Sequence, residues 1–294
     1  MSLPPEILKK VRLLEISTRK LVSSILTGSY NSAFKGQGMT FSEFREYVPG
    51  DDVRTISWTL TARTGKTHIK KYDEERELTL MLVVDVSGSL DFGTGVDFKG
   101  EVATHLSALL GFAAQKNGDH VGLLLVSDQV EHFVPAKKGR GHVNRILRDL
   151  YYQKPLHRQT KIAAAVQYLQ GVLKKKSIVF VMSDFNDEGY AEALKTMSKK
   201  HDVVAVVIDD PAERKLPAMG LVDMRDAETG EVVTVDTSSR AFRDAFEYEM
   251  KKRFETRERE LRKAGVDRVD VSTNSDFVQP LAAYFRKRAV GGRR

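Results

Sequence analysis

No cysteine occurs among the 294 residues. Disulfide staples, thiolate metal sites and a cysteine nucleophile are thereby excluded, and any bound metal must be held by oxygen or imidazole. Long hydrophobic runs are missing as well. The longest apolar stretches are Leu78–Val86, Val121–Val126 and Val203–Ile208, far short of the roughly 20 residues a membrane helix needs. The N-terminus reads as a Pro- and Lys-containing helix and not as a signal peptide. The expectation is a cytoplasmic protein with no integral membrane segment. Histidine is sparse, with 7 residues scattered along the chain, and none shows the i, i+4 pairing of a zinc helix. His105 and His142 read as ordinary helix residues.

Charge of one sign does not dominate locally either. The formal net charge is +7, but basic residues are mixed with acids throughout, and Lys174–Lys176 and Lys199–Lys200 fall where cations meet the negative end of a helix dipole. A solvated surface follows, and no nucleic-acid partner is expected. What the chain does have is 41% hydrophobic residues, enough for an ordinary globular core.

Residues 4–27 carry apolar positions at helical spacing (Ile7, Leu8, Val11, Leu14, Ile16, Leu21, Val22, Ile25) and stop at Gly28, which predicts an amphipathic helix. From 29 to 77 Gly36, Gly38, Pro49-Gly50, Asp51-Asp52 and Gly65 punctuate short segments. This is an irregular, partly β arm, with a strand at 66–72. From 78 onward short apolar runs alternate with amphipathic segments. Strands are expected at 78–85, 120–127, 130–134, 177–183 and 203–208, with helices at 99–116, 141–151, 161–173 and 189–199. Near-continuous Val, Leu and Ile runs mark strands covered on both faces, so the fold class is α/β, a doubly wound, mostly parallel sheet of Rossmann type. A hairpin at 220–236 at the sheet edge, a charged helix at 239–263 with a stripe of Phe242, Phe246, Met250, Phe254 and Leu261, a strand at 267–271 and a helix at 276–288 complete it. The expected division is 1–77, helix and arm; 78–290, the α/β domain; 291–294, a disordered tail.

The strand ending at Asp85 runs into Val86-Ser87-Gly88-Ser89, so one carboxylate and two hydroxyls leave its carboxyl end. Ligands of open α/β sheets bind in that crevice. Asp-x-Ser-x-Ser by itself also describes a plain turn or helix cap. Two further segments favour a site: Thr160, ahead of helix 161–173, adds a hydroxyl, and Asp184 follows strand 177–183. Five hard oxygens on one edge suit Mg²⁺, which takes about six such ligands and keeps some waters.

In that arrangement the chain resembles, over about 78–290, the von Willebrand factor A domain, whose metal-ion-dependent adhesion site uses Asp-x-Ser-x-Ser with a distant Thr and a distant Asp. The resemblance implies that Asp85, Ser87, Ser89, Thr160 and Asp184 hold Mg²⁺, with Mn²⁺ or Ca²⁺ as alternatives, and that an acidic residue of a partner fills an open position. A second resemblance covers the arm. Phe41, Phe44-Arg45-Glu46-Tyr47-Val48-Pro49-Gly50-Asp51-Asp52-Val53-Arg54, Ile56 and Trp58, then Ala62-Arg63-Thr64-Gly65 and Glu74-Glu75-Arg76, are similar to domain-of-unknown-function family 58 of bacteria and archaea. Position 57 is Ser here, where that family most often has Asp or His. This resemblance implies a non-enzymatic interaction module, an adaptor for a MoxR-type AAA+ ATPase in chaperone-like maturation or assembly of other proteins. Within the arm, Asp51 and Asp52 are expected as caps, Trp58 as a ring buried against the domain, and Arg45, Arg54 and Arg63 as partners of nearby carboxylates or as a recognition surface.

Other signals carry less. Thr64-Gly65-Lys66-Thr67 lacks the Gly that a phosphate loop needs, since Leu60 stands there. Gly36-Gln37-Gly38 and Gly139-Arg140-Gly141 are turn glycines. Asp119 follows Gly118 ahead of a strand and reads as a turn residue. Asp85 as a phosphoryl acceptor is disfavoured because such phosphatases carry a second Asp where Ser87 stands. The alternative function is a metal-dependent hydrolase using the same ion to activate water.

Overall fold

The alternation of apolar runs and amphipathic segments becomes a three-layer α/β sandwich in the computed structural model, which describes residues 9, 12–18, 22, 30, 33–34, 39–74, 77–95, 97–152 and 155–291. The arm contributes strands β1 (Met39–Glu46) and β2 (His68–Glu74), paired antiparallel, with helix α1 (Trp58–Thr64) between them. The main sheet contains β3 (Thr79–Asp85), β4 (His120–Val126), β5 (Val130–Lys137), β6 (Ile178–Ser183), β7 (Asp202–Asp209) and β10 (Asp267–Ser272). Its order is β10-β7-β6-β3-β4-β5, parallel except for β5 at one edge. Counted in chain order this is the 3-2-1-4-5-6 arrangement of doubly wound folds. The helices are α2 (Lys99–Lys116), α3 (Arg140–Tyr152), α4 (Ile162–Val172), α5 (Ala191–Ser198), α6 (Arg240–Ala264) and α7 (Val278–Gly291). The fold is thus the doubly wound, mostly parallel α/β arrangement expected of it, and helix 99–116 falls where its periodicity put it.

Because side chains alternate across a strand, β3 feeds two cores. Leu80, Leu82 and Val84 pack with α2, α3 and α7, while Met81 and Val83 pack with α4, α5 and the C-terminal end of α6. Tyr30 and Phe34, from the N-terminal segment, join the first core through edge-on contacts with Phe285, at 5.7 and 5.8 Å between ring centroids. Phe180 of β6 closes that aromatic cluster at 6.3 Å from Phe285. Asp119 is the turn residue expected of it, accepting a hydrogen bond from the Leu78 amide at 3.0 Å.

Several expectations are corrected. Trp58 is 71% exposed, so its ring is not buried against the domain; it is the first residue of a seven-residue helix. The arm strand starts at His68, two residues late, because Lys66 and Thr67 belong to the turn that follows the left-handed Gly65 cap. Hairpin strands β8 (Leu221–Arg225) and β9 (Val232–Asp236) form their own two-stranded sheet and add no strand to the main one. On α6 the Phe242, Phe246, Met250 and Phe254 stripe is only half-buried, and the buried residues are Arg257, Leu261 and Ala264. Of the amphipathic helix expected at 4–27, residues 12–18 are helical, with Leu14 inward and Ile16 exposed; most of the remainder lies outside the described residues, as do 292–294 of the expected tail. Gly291, assigned to that tail, is the last residue of α7. Arg45 pairs with Asp51 at 2.8 Å and Asp52 caps the turn at Val53–Thr55, whereas Arg54 and Arg63 are exposed.

Phe285→Ala should remove the ring at which Tyr30, Phe34 and Phe180 meet and cost about 3–5 kcal/mol. Chemical denaturation at constant ionic strength measures this, and a cost below 1 kcal/mol would show that the N-terminal segment does not depend on this cluster.

Candidate metal centre

Strands β3 and β6 lie side by side and parallel, and the chain order of the sheet reverses between them. The crevice at their carboxyl ends is therefore the topological switch point where open sheets take ligands. Asp85 ends β3 and Asp184 follows β6, exposed by 1% and 0%. One Asp85 oxygen accepts from the Ser87 amide at 2.9 Å and the other from the Ser183 hydroxyl at 2.6 Å. Ser183 in turn accepts from the Phe185 amide at 3.0 Å. The Ser87 and Ser89 hydroxyls stand 3.1 Å apart, and Ser89 also helps to hold Asp184 in its ionised form. Four of the five sequence-predicted residues are thus joined in one network.

Thr160 reaches the same edge by another route. The Gly88 amide donates to the Arg158 carbonyl at 2.8 Å, which ties the 157–160 loop to the centre of the Asp-x-Ser-x-Ser segment. The Thr160 hydroxyl donates to Glu228 at 3.4 Å, on the turn of the β8–β9 hairpin. Its hydroxyl is thus directed to the hairpin and not to the other four predicted residues, and its place is the rim of the site.

Two residues of the centre were not identified from the sequence. Lys99, the first residue of α2, is completely buried, and its ammonium donates to Asp184 at 2.8 Å and to Glu213 at 2.6 Å. Arg257 of α6 donates to the Asp184 carbonyl at 2.8 Å and makes two bonds to Asp209, at 2.7 and 2.8 Å. A Lys opening a helix after a glycine-rich loop, and an Arg in a highly charged helix, both read as surface residues.

The electrostatics follow from burial. Desolvation, then the neighbouring charge of Asp184, pushes the Asp85 carboxyl up to about 7 against the bonds from Ser183 and Ser87. Burial would raise Asp184 too, but the Lys99 ammonium outweighs it and holds Asp184 below the usual carboxylate range. Burial likewise lifts Glu213 and Glu228. For Lys99, burial pulls downward and the two carboxylates more than reverse it.

This donor set can be tested against a hard cation. Among the described residues no group of three or more His, Cys, Asp or Glu could hold a metal, so an ion here would depend on hydroxyls as well as carboxylates. Ser87, Ser89, Asp85 and Asp184 supply that mixture on one crevice, all through oxygen, as Mg²⁺ prefers. Lys99 serves Asp184 and Glu213, and Asp85 has neutral donors only. The uncompensated charge at Asp85 is what a bound cation would relieve, and the residues fit one.

Comparison with known proteins agrees with this fold. The family described as "Protein of unknown function DUF58" matches residues 43–256. An uncharacterized protein of Mycobacterium tuberculosis (strain H37Rv), Rv1480, is 30% identical over 290 residues, covering 98% of this chain and 91% of that protein. An uncharacterized protein of Mycobacterium bovis, Mb1516, matches with the same identity and coverage. The crystal structure of the conserved hypothetical protein BatB from Bacteroides thetaiotaomicron superposes with a TM-score of 0.50 at 19% identity, over 72% of this chain and 98% of that one. At that identity the likeness concerns the fold alone. No helix among the described residues is long and apolar enough to cross a membrane.

Lys99→Met keeps the side-chain length and removes the ammonium, leaving Asp184 and Glu213 without their shared cation. A loss of about 3–5 kcal/mol is expected in chelator, read from denaturant midpoints; a neutral result would contradict the buried ion network. A pH series gives a separate check. A carboxyl raised in the folded state binds more protons folded than unfolded, so stability is present at low pH and is lost as pH rises from about 4 to 7. In chelator the wild type should lose stability on the order of a few kcal/mol across that window, and Asp85→Asn should show a visibly flatter profile.

Proposed function

This chain belongs to the DUF58 family, and from that membership we propose that it is a non-enzymatic, metal-dependent protein-interaction module. Asp85, Ser87, Ser89 and Asp184, with Thr160 at the rim, would hold a magnesium ion, for which Mn²⁺ or Ca²⁺ could substitute. The ion supplies a point of positive charge able to take an oxygen ligand from another molecule. The partner we assign is a MoxR-type AAA+ ATPase, or a client protein that it acts on, offering an acidic side chain. In this reading the chain is an adaptor in the maturation or assembly of other proteins, working in the cytoplasm.

One observation carries the metal dependence: Asp85 and Asp184 are both buried at the switch point, and the single ammonium among them is committed to Asp184 and Glu213. Burying a carboxylate without a counter-charge is costly, and hydroxyl and carboxylate oxygens together are ligands of the kind a hard cation takes. The support for the partner class is the family resemblance. The binding reading, like the partner class, is taken over hydrolysis from the family resemblance.

The test is capture of the ATPase or client from cell extract on the immobilised full chain, with Mg²⁺ or with excess chelator. Partner retention should drop at least tenfold in chelator and equally in Asp85→Ala, while circular dichroism shows both proteins folded. Full retention under either condition would refute metal-dependent docking. Turnover of phosphoester or peptide substrates with Mg²⁺ or Mn²⁺, abolished by Asp184→Ala, would replace the adaptor by the hydrolase.

A further inference from the structure

The β8–β9 hairpin forms no part of the main sheet, yet its turn is seated on the metal centre. Asp226 builds that turn. Its side chain accepts from the amides of Glu228 and Thr229 at 2.9 and 2.7 Å, its carbonyl accepts from Gly230, and its amide donates to Glu231. Gly230, at φ +77°, lets the chain reverse there. The tip is therefore held in one shape before it meets anything else. It meets Gly88, between the two site serines: a Cβ at that position would lie 2.0 Å from the Ala227 carbonyl oxygen. Only a residue without a side chain lets the hairpin approach so closely.

One residue further on, Glu228 receives the Thr160 hydroxyl at 3.4 Å. Burial raises its pKa and so does the charge of Asp184, which places it within the electrostatic reach of the centre. Glu228 is thus an acid on a separate element, presented to the hydroxyl rim of a site expected to take an acid from outside.

Building on the metal-dependent docking proposed for this site, on which it rests, the geometry points to Glu228 as an internal occupant of the partner's position. The hairpin turn covers the site in cis, Glu228 engages the Thr160 side of it, and an acidic partner gains access when the turn lifts from Gly88. The affinity seen by a partner is then the intrinsic affinity reduced by the fraction of molecules with the hairpin lifted. The hairpin can lift without opening the core: β8 and β9 pair only with each other, and most of their side chains are exposed or half-exposed.

The test uses the full chain, Mn²⁺ as the metal probe, and a fluorescein-labelled acidic peptide of four aspartates as the carboxylate probe. Mn²⁺ binding is read from its electron paramagnetic resonance signal and peptide binding from anisotropy. Glu228→Gln, and independently Gly88→Ala, which evicts the tip without altering its acid, should each bind the peptide about tenfold more tightly than wild type in Mn²⁺ and lose that gain in chelator. Glu231→Gln, which removes the same charge from the same turn, should behave as wild type. Exchange of the 226–231 amides should be faster in Gly88→Ala. Equal peptide affinity in wild type and Glu228→Gln, or an identical gain in Glu231→Gln, with Mn²⁺ bound throughout, overturns the internal occupant and leaves the metal site standing. Failure of the wild type to bind Mn²⁺ at all overturns the metal-dependent reading and this inference with it.

Discussion

Two carboxylates are withdrawn from water where β3 and β6 end, and the surrounding structure is arranged to tolerate them. Asp85 ends β3 and Asp184 directly follows the adjacent parallel strand β6, so the sheet holds the two close together. Lys99 neutralises one of them from the start of α2, and Glu213 turns that contact into a three-member network. Glu213 also caps Asp210, which accepts from Thr94 and Thr273. In this way the loop after β3, the start of α2, the segment after β7 and the end of β10 are all tied to the same pair of charges. Arg257 extends the set to α6 by binding both the Asp184 carbonyl and Asp209. An ion network with most of its polar groups satisfied rigidifies its surroundings, and a half-satisfied one is costly. The member left without a counter-charge is Asp85, although both of its oxygens accept hydrogen bonds.

The strand and helix succession was readable because burial on both faces imposes runs of Val, Leu and Ile, as in Val179–Met182 and Val203–Ile208, that few other structures require. That Asp85, Ser87, Ser89 and Asp184 come together at one sheet edge was readable for a related reason, since strand ends can be located from the apolar runs. What could not be read depended on contacts distant in sequence. Lys99 reads as a surface lysine until Asp184, 85 residues away, is placed against it. Glu228 looks like any acid in a hairpin turn until Gly88 is seen to admit that turn. Trp58 reads as a core residue from hydrophobicity alone, but helix α1 is short and the arm has its own small sheet, so no core of the main domain reaches it.

The arm illustrates how a recognisable motif and a packing motif can differ. Its fixed geometry is internal: Arg45 to Asp51, the Asp52 cap, the left-handed Gly65 that ends α1, and the antiparallel pairing of β1 with β2. Its large apolar residues Phe44, Val48, Val53 and Trp58 are exposed. Exposed surface ion pairs such as Arg45–Asp51 contribute little, so stability alone is a weak reason for that density of specific residues.

The balance of charge at the sheet edge also bears on the docking proposed for this site. If Asp184 is assigned to Lys99, Asp85 is the one charged donor left for a divalent ion among Ser87, Ser89 and Thr160, and such an ion would keep part of its positive charge. A site lined by three or four free carboxylates would cancel that charge and leave nothing to attract another acid. On the proposed reading, Lys99 would do more than stabilise the fold: by pairing with Asp184 it would set how strongly a metal-loaded crevice draws a further carboxylate. The first carboxylate within reach belongs to the chain itself, on a hairpin whose hold is a close backbone approach at Gly88 and one hydrogen bond from Thr160. A contact of that size is worth roughly 1 kcal/mol for the hydrogen bond, weak enough for a well-fitted acidic partner to displace and strong enough to discriminate against poorly fitted ones.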